Sequence, residues 1–155
     1  MEFKKFKAAT VQTAPVFLNV EKTVDKAISF IKEASKNGAK LIAFPEVFIS
    51  GYPYWNWIMT PVQGSKWYEE LYKNSVDITS PEIKKLCMSA KENDIHIVMG
   101  INERGKSYGE IYNTNLIIDN KGVIVGKHRK LVPTWAEKLT WTSGDGSSLK
   151  VYDTE

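Results

Sequence analysis

The sequence predicts an α/β fold, and three observations predict it. A short apolar strand, an amphipathic helix and a second apolar strand follow one another between Phe6 and Phe44, which is a βαβ unit. A helix opening at Ser80-Pro81-Glu82 leads into a third apolar run, Ile95 to Ile101. An alternating run, Ile111 to Ile118, turns at Asp119-Asn120-Lys121-Gly122 and returns through Val123 to Gly126, as a β-hairpin does.

Each element has a local cause. Phe6 to Gln12 is a short strand built on Ala, Val and Thr and is closed by Thr13-Ala14-Pro15. Asn19 is an N-cap, and Val20, Val24, Ala27, Ile28, Ile31 and Ala34 recur on one helical face until Asn37-Gly38 ends the helix. Leu41 to Phe44 is apolar throughout, as expected of a strand covered on both faces. Gly51 to Gln63 is aromatic and irregular and reads as a structured loop, followed by a short helix over Lys66 to Tyr72. Ser80 caps the next helix, with Pro81 at its first position and Glu82 in its first turn; Ile83, Leu86, Cys87 and Ala90 form its buried face. Lys130 to Gly146 is a long segment rich in Trp, Thr and Gly, the kind of ordered loop that tends to carry function. Ser148 to Tyr152 reads as the start of a further strand.

Composition narrows the function. At 155 residues the chain is one domain or part of a larger one, and 43% hydrophobic with 25% charged residues is ordinary globular composition. A net charge of +3, spread over helices and turns, leaves no basic stripe and no nucleic-acid partner. No apolar run approaches the ~20 residues that span a bilayer, and the residues from Met1 to Lys7 carry no leader pattern. One cysteine cannot form an internal disulfide, so a cytoplasmic setting is expected. Cysteine and histidine are too few for structural zinc, and neither a Gly-x-Gly-x-x-Gly turn nor a Walker lysine is present; no metal or cofactor is expected.

Four groups could carry chemistry. Glu46 closes an apolar strand just before Gly51-Tyr52-Pro53, where open α/β sheets gather their ligands. It is either a structural carboxylate capping a loop or a general base tuned by burial and a nearby cation. Lys130, in His128-Arg129-Lys130, is either part of a solvated edge or a fixed ammonium facing developing negative charge. His128 and Arg129 read as anchors of the strand end or of an acidic partner. Glu137 lies among Trp135 and Trp141, either on a surface turn with packing rings or as a second site carboxylate. Cys87, mid-helix on an apolar face, reads as packing rather than as a nucleophile, and His96 reads as structural.

These residues resemble the nitrilase superfamily of carbon–nitrogen hydrolases, closest to the nitrilase branch. The likeness rests on Gly38 to Pro53, on Lys127-His128-Arg129-Lys130-Leu131-Val132-Pro133-Thr134, and on Glu137 to Trp141 through Gly144-Asp145-Gly146-Ser147. It implies a nitrilase-like αββα sandwich, present as its N-terminal half only, with residues 1–155 a partial domain. It implies that Glu46 is the general base, Lys130 the catalytic lysine and Glu137 the second glutamate that holds the site. The aromatic loop with Tyr52, Tyr54, Trp55 and Trp57 would line or cover a substrate pocket, or pack against the body or a second subunit. Tyr52, Tyr54 and Trp135 are the expected substrate contacts. The family's Gly-x-x-x-Cys-Trp-Glu block has no counterpart in the 155 residues, so the chain alone is expected to be inactive. The implied reaction is hydrolysis of a nitrile to a carboxylic acid and ammonia without metal or cofactor. An amidase or carbamoylase of the same superfamily, or a non-catalytic product or subunit, are the alternatives. A homo-oligomer is expected, with an uncovered sheet face that favours self-association.

Overall fold

The computed structural model describes residues 5–154, so Met1 to Lys4, part of the stretch read for a leader, and Glu155 lie outside the described residues. A five-stranded sheet runs in the order β1-β2-β3-β4-β5: β1 (Lys7–Thr10), β2 (Ala39–Ala43) and β3 (His96–Arg104) are parallel, and β4 (Ile111–Ile118) and β5 (Ile124–Arg129) complete it as antiparallel strands. The parallel pairs need crossovers. The first is α1 (Val20–Lys36); the second carries α2 (Pro61–Lys73) and α3 (Pro81–Glu92).

The helices start where their caps dictate. Asn19 accepts from Lys22 N at 3.0 Å, and Ser80 caps Ile83. The expected short helix at Lys66 is longer, because Thr60-Pro61-Val62-Gln63 is a capping box with proline at the first position, and α2 begins there. Between β2 and α2 the aromatic loop holds one turn of 3-10 helix, Tyr54–Trp57.

The core is one-sided. Val24, Ala27 and Ile31 of α1 and Ile83, Leu86 and Ala90 of α3 pack onto Ile42, Ile97, Met99, Ile101, Leu116 and Ile118. The opposite face shows Leu41, Ala43, Val98 and Ile117 only half-buried, with Asn115 exposed. The expectation that β2 is covered on both faces is therefore corrected: Lys40 is exposed and its neighbours alternate, because α1 and α3 stack on one side of the sheet. Pairing with β4 carries β5 past Gly126 to Arg129; Gly126 does not end the strand but leaves room for the Tyr152 ring. The strand expected from Ser148 does not form. Leu149 and Val151 are exposed, and the backbone bonds Leu149 N to Gly146 O and Lys150 N to Ser148 O close turns rather than a ladder. Among the described residues no helix is long and apolar enough to cross a membrane.

Candidate active site

Glu46 is placed by a tight crossing of two backbones. After β2, Phe44 still pairs with Val98 (N to O, 2.9 Å), and Ile49 returns to the same strand at Gly100 (N to O, 3.0 Å). Between them Pro45–Val47 arches over Gly100, where an added Cβ would run into the Pro45 carbonyl and lie 2.5 Å from Val47 N. The arch holds a buried valine, Val47, at φ 41°, a left-handed conformation that a β-branched residue rarely adopts. Strain of this kind persists only where the surroundings impose it, and here it turns Glu46 out of the sheet. Gly100→Ala should therefore displace the arch and destabilise the fold by about 2 kcal/mol, the cost of overpacking; a urea unfolding midpoint equal to the parent's would contradict this.

Lys130 follows β5 directly. Its N–H donates to Asn113 O at 2.8 Å and its carbonyl accepts from Gly144 N at 2.9 Å, so both sides of its backbone are tied. Glu137 sits in a 3-10 turn, Trp135–Leu139, started by a reciprocal capping box with Thr134. That box, which serves to begin the turn, also fixes the Glu137 carboxylate: Oε2 accepts from Thr134 N at 2.6 Å.

The three side chains meet. Lys130 Nζ donates to Glu46 Oε1 at 2.9 Å and to Glu137 Oε2 at 2.8 Å. Tyr52 donates its hydroxyl to Glu137 Oε1 at 2.9 Å and accepts from Trp57 Nε1 at 3.2 Å. Asn113 Nδ2 donates to Glu46 Oε1 at 2.7 Å. The Glu137 side chain is 6% exposed and Lys130 29%, while Glu46 is 47% exposed. Glu46 is thus the member that opens to solvent, on a cleft of about 550 Å³ lined also by Asn113, Asn115, His128 and Lys130.

The charges support one another. Burial works against the Lys130 ammonium, but its bonds to Glu137 and Glu46 outweigh that and hold its pKa above an ordinary lysine's. Burial likewise opposes the Glu137 carboxylate, and the Lys130 ammonium, the Thr134 N–H and the Tyr52 hydroxyl together keep it below the usual carboxylate range. Burial, and then the neighbouring Glu137 charge, raise the Tyr52 phenol. The result is a fixed ammonium between two carboxylates, one locked and one half-free. Such a set can accept a proton at Glu46 and present an N–H to developing negative charge.

The structure brings Glu46, Lys130 and Glu137 together from three separate stretches. It sets Tyr52 against Glu137 and places Tyr54 beside Tyr52, with ring centroids 5.0 Å apart and planes tilted by 51°. Tyr54 and Glu46 also border a second, apolar cleft of about 470 Å³ with Phe17, Trp55 and Trp67. Trp135 is 77% exposed and meets Trp57 edge-on at 5.4 Å. Cys87 lies on α3, half-buried against the helical core, its thiol pKa raised by burial. Arg129 anchors on a buried acid, Glu103, through bonds of 2.9 and 2.7 Å.

Two residues escaped the sequence reading. Asn113 holds Glu46, and Asn102, directly across β3–β4 from it, is fully buried. Asn102 donates to Gly51 O at 2.9 Å and Ile49 O at 3.2 Å and accepts from Trp141 Nε1 at 2.8 Å, joining the Glu46 loop to the Glu137 loop. Both asparagines lie out of phase with Met99, Ile101, Leu116 and Ile118, on the face away from α1 and α3, so strand alternation did not mark them as buried; once buried, an amide must find partners.

Comparison with known proteins agrees with this architecture. A family model described as carbon–nitrogen hydrolase matches residues 7–155. The chain is 46% identical over 153 residues to a nitrilase of Bacillus sp. (strain OxB-1), covering 99% of this chain and 44% of that protein. It is 44% identical to an aliphatic nitrilase of Rhodococcus rhodochrous, covering 96% and 40%, and 38% identical to a cyanide hydratase of Stereum hirsutum, covering 100% and 42%. The chain thus spans less than half the length of these relatives. An amidase from Nesterenkonia sp. AN1 has a similar fold at a TM-score of 0.66 and 20% identity, over 89% of this chain and 49% of the amidase. A mixed sheet with its helices corresponds to that half, and with the family match over nearly its whole length the chain belongs to the carbon–nitrogen hydrolases of the nitrilase superfamily.

Proposed function

We propose that these residues are the acid–base half of a nitrilase site, which converts a nitrile to a carboxylic acid and ammonia once a cysteine from outside residues 1–155 joins it. The observation that carries this reading is Lys130, held 2.9 Å from Glu46 and 2.8 Å from Glu137 on an open cleft. Relatives named as nitrilases at 46% and 44% identity support the substrate class.

The chemistry follows from the arrangement. Glu46 takes the proton of the cysteine thiol, and the thiolate attacks the nitrile carbon. The nitrile nitrogen gains charge, supported by a Lys130 N–H as in an oxyanion hole, and takes the proton that Glu46 removed from the thiol, giving a thioimidate and restoring the Glu46 carboxylate. Water adds across the C=N bond, one of its protons passing through Glu46 to nitrogen; Glu46 then moves the new hydroxyl's proton to the same nitrogen, the C–N bond breaks as ammonia leaves, and a thioester remains. A second water, deprotonated by Glu46, cleaves the thioester and frees acid and thiol. Glu137, locked by Thr134 and Tyr52, keeps Lys130 charged and aimed. Tyr54 and the apolar cleft beside Glu46 take the nitrile's substituent, while Tyr52 and Trp135, placed with the substrate contacts by resemblance, shape the rim from the Glu137 side. A homo-oligomer of the complete protein is part of the same reading.

Ammonia release tests it. The 155-residue chain alone should release none from aliphatic or aromatic nitriles, because losing a nucleophile that acts with its partners lowers rate by roughly 10⁶. The same residues fused to the part of the Bacillus nitrilase outside the matched 153 residues should turn nitriles over. Turnover by the chain alone that disappears in Cys87→Ser, or release from amides but not nitriles by the fusion, would overturn the proposal.

A further inference from the structure

We propose that Asn113 is a positioning residue for Glu46: its side-chain amide sets the plane of that carboxylate and directs the second oxygen into the cleft. The inference rests on the nitrilase reading above for its kinetic consequence, and on geometry for the contact.

Glu46 has little else to orient it. Its side chain is 47% exposed, and a half-exposed glutamate loses rotamer freedom only where directional bonds hold it. The Lys130 ammonium attracts it, but an ammonium is a rotating point charge with three equivalent donors and imposes no plane. The Asn113 amide is planar and comes from a strand. It donates to the same oxygen, Oε1, at 2.7 Å. Among the described residues Oε2 has no hydrogen bond, so it is the oxygen left to face the cleft and take a proton.

The amide's orientation follows from its partner. An ionised carboxylate beside an ammonium only accepts, so Nδ2 rather than Oδ1 must face Glu46. Asn113 also reaches the other half of the site, since its backbone carbonyl accepts the Lys130 N–H at 2.8 Å. One buried residue, 6% exposed, therefore fixes both ends of the Glu46–Lys130 pair, one through its side chain and one through its main chain. Its cross-strand partner Asn102 ties down the loop that carries Glu46 through Ile49 and Gly51. Asn102 holds the loop's backbone, and Asn113 holds the reacting carboxylate.

The test uses two substitutions in the fusion described above. Asn113→Leu keeps the volume and removes the donor; kcat should fall about 10- to 100-fold while KM moves less than about threefold, the pattern of a group that acts in the transition state. Asn113→Asp puts a like charge beside Glu46, in a cleft that also presents Lys130 and His128, with Glu137 behind Lys130 and Tyr54 on the apolar side. A carboxyl pair sharing one proton can mimic the amide donor, so the alkaline limb of the kcat/KM profile should move to lower pH. A kcat within twofold of the parent for Asn113→Leu, or an unmoved pH profile for Asn113→Asp, would overturn the assignment. Should the unsubstituted fusion release no ammonia from any nitrile, the functional reading fails separately. The contact is then decided on the 155-residue chain by the Asn113 side-chain amide resonances. They should move toward those of a free amide in Glu46→Leu, and an unchanged position would overturn the proposal.

Discussion

Lys130→Met should abolish nitrile turnover in the fusion and destabilise the fold at the same time. Losing a charged donor aimed at developing charge costs about 10²- to 10³-fold in kcat, and this lysine also supports Glu46 at 2.9 Å, so the measured loss should reach at least the upper figure. Stability falls because Glu137, 6% exposed, keeps only Thr134 N and the Tyr52 hydroxyl as donors. A buried carboxylate short of one charged partner costs about 2 kcal/mol, readable as a lower urea midpoint at neutral pH. Lys130→Arg should recover much of that stability, since the charge remains, but little activity, since a planar fork cannot place one N–H where the ammonium does. Equal activity in Lys130→Arg and the parent would remove the geometric part of the argument.

The same cluster sets a pH window for stability. The Glu137 pKa is lowered on folding, so its contribution is present above the ordinary carboxylate range and is lost as pH falls through the folded value. The Lys130 pKa is raised, so its contribution is present below the ordinary lysine range and is lost only as pH rises through the higher folded value. Across the neutral range both are intact.

Glu103→Gln should give the largest loss of stability of any single change named here, about 3 kcal/mol or more, because it breaks a buried ionic network from its centre. Glu103 is 3% exposed and accepts from Arg129 at 2.9 and 2.7 Å, from Thr114 at 2.8 Å and from Lys127. Burial opposes its charge, and the Arg129, Lys127 and Thr114 donors overcome that and leave its pKa below the usual carboxylate range. Its stabilisation is therefore present above that range and fades as pH falls below it. Urea unfolding of parent and variant, followed from pH 7 downward, should show the gap closing in acid. A gap that stays constant with pH would mean that the charge is not what Glu103 contributes.

Much of the fold was legible because its signals are short-range. Asn19, Ser80 and Pro81 mark helix starts through bonds that span three or four residues, and each helix begins where they stand. The capping box at Thr60 was equally local and was hidden only by the aromatic residues before it. The strand expected at Ser148 failed for the opposite reason: a strand needs a neighbour to pair with, and apolar residues such as Leu149 and Val151 do not specify one. Arg129 could be read as an anchor for an acid, but the acid itself, seven positions past the start of β3, could not be named from spacing.

By itself the sequence determined the α/β class, the starts of α1 and α3 and three stretches whose blocks resemble one family, with Glu46, Lys130 and Glu137 as their chemical members. Only the tertiary structure decided what those members do to one another. Glu46 and Lys130 are 84 positions apart and meet because β2 and β5 end on the same side of the sheet, a matter of strand order and register. The same register puts Asn113 opposite Asn102 and so beneath Glu46. It also turns Tyr52 toward Glu137 and leaves Trp135 facing solvent. Local propensity acts along a few residues of chain, whereas this site is made by contacts across the sheet, and no spacing in the sequence encodes those.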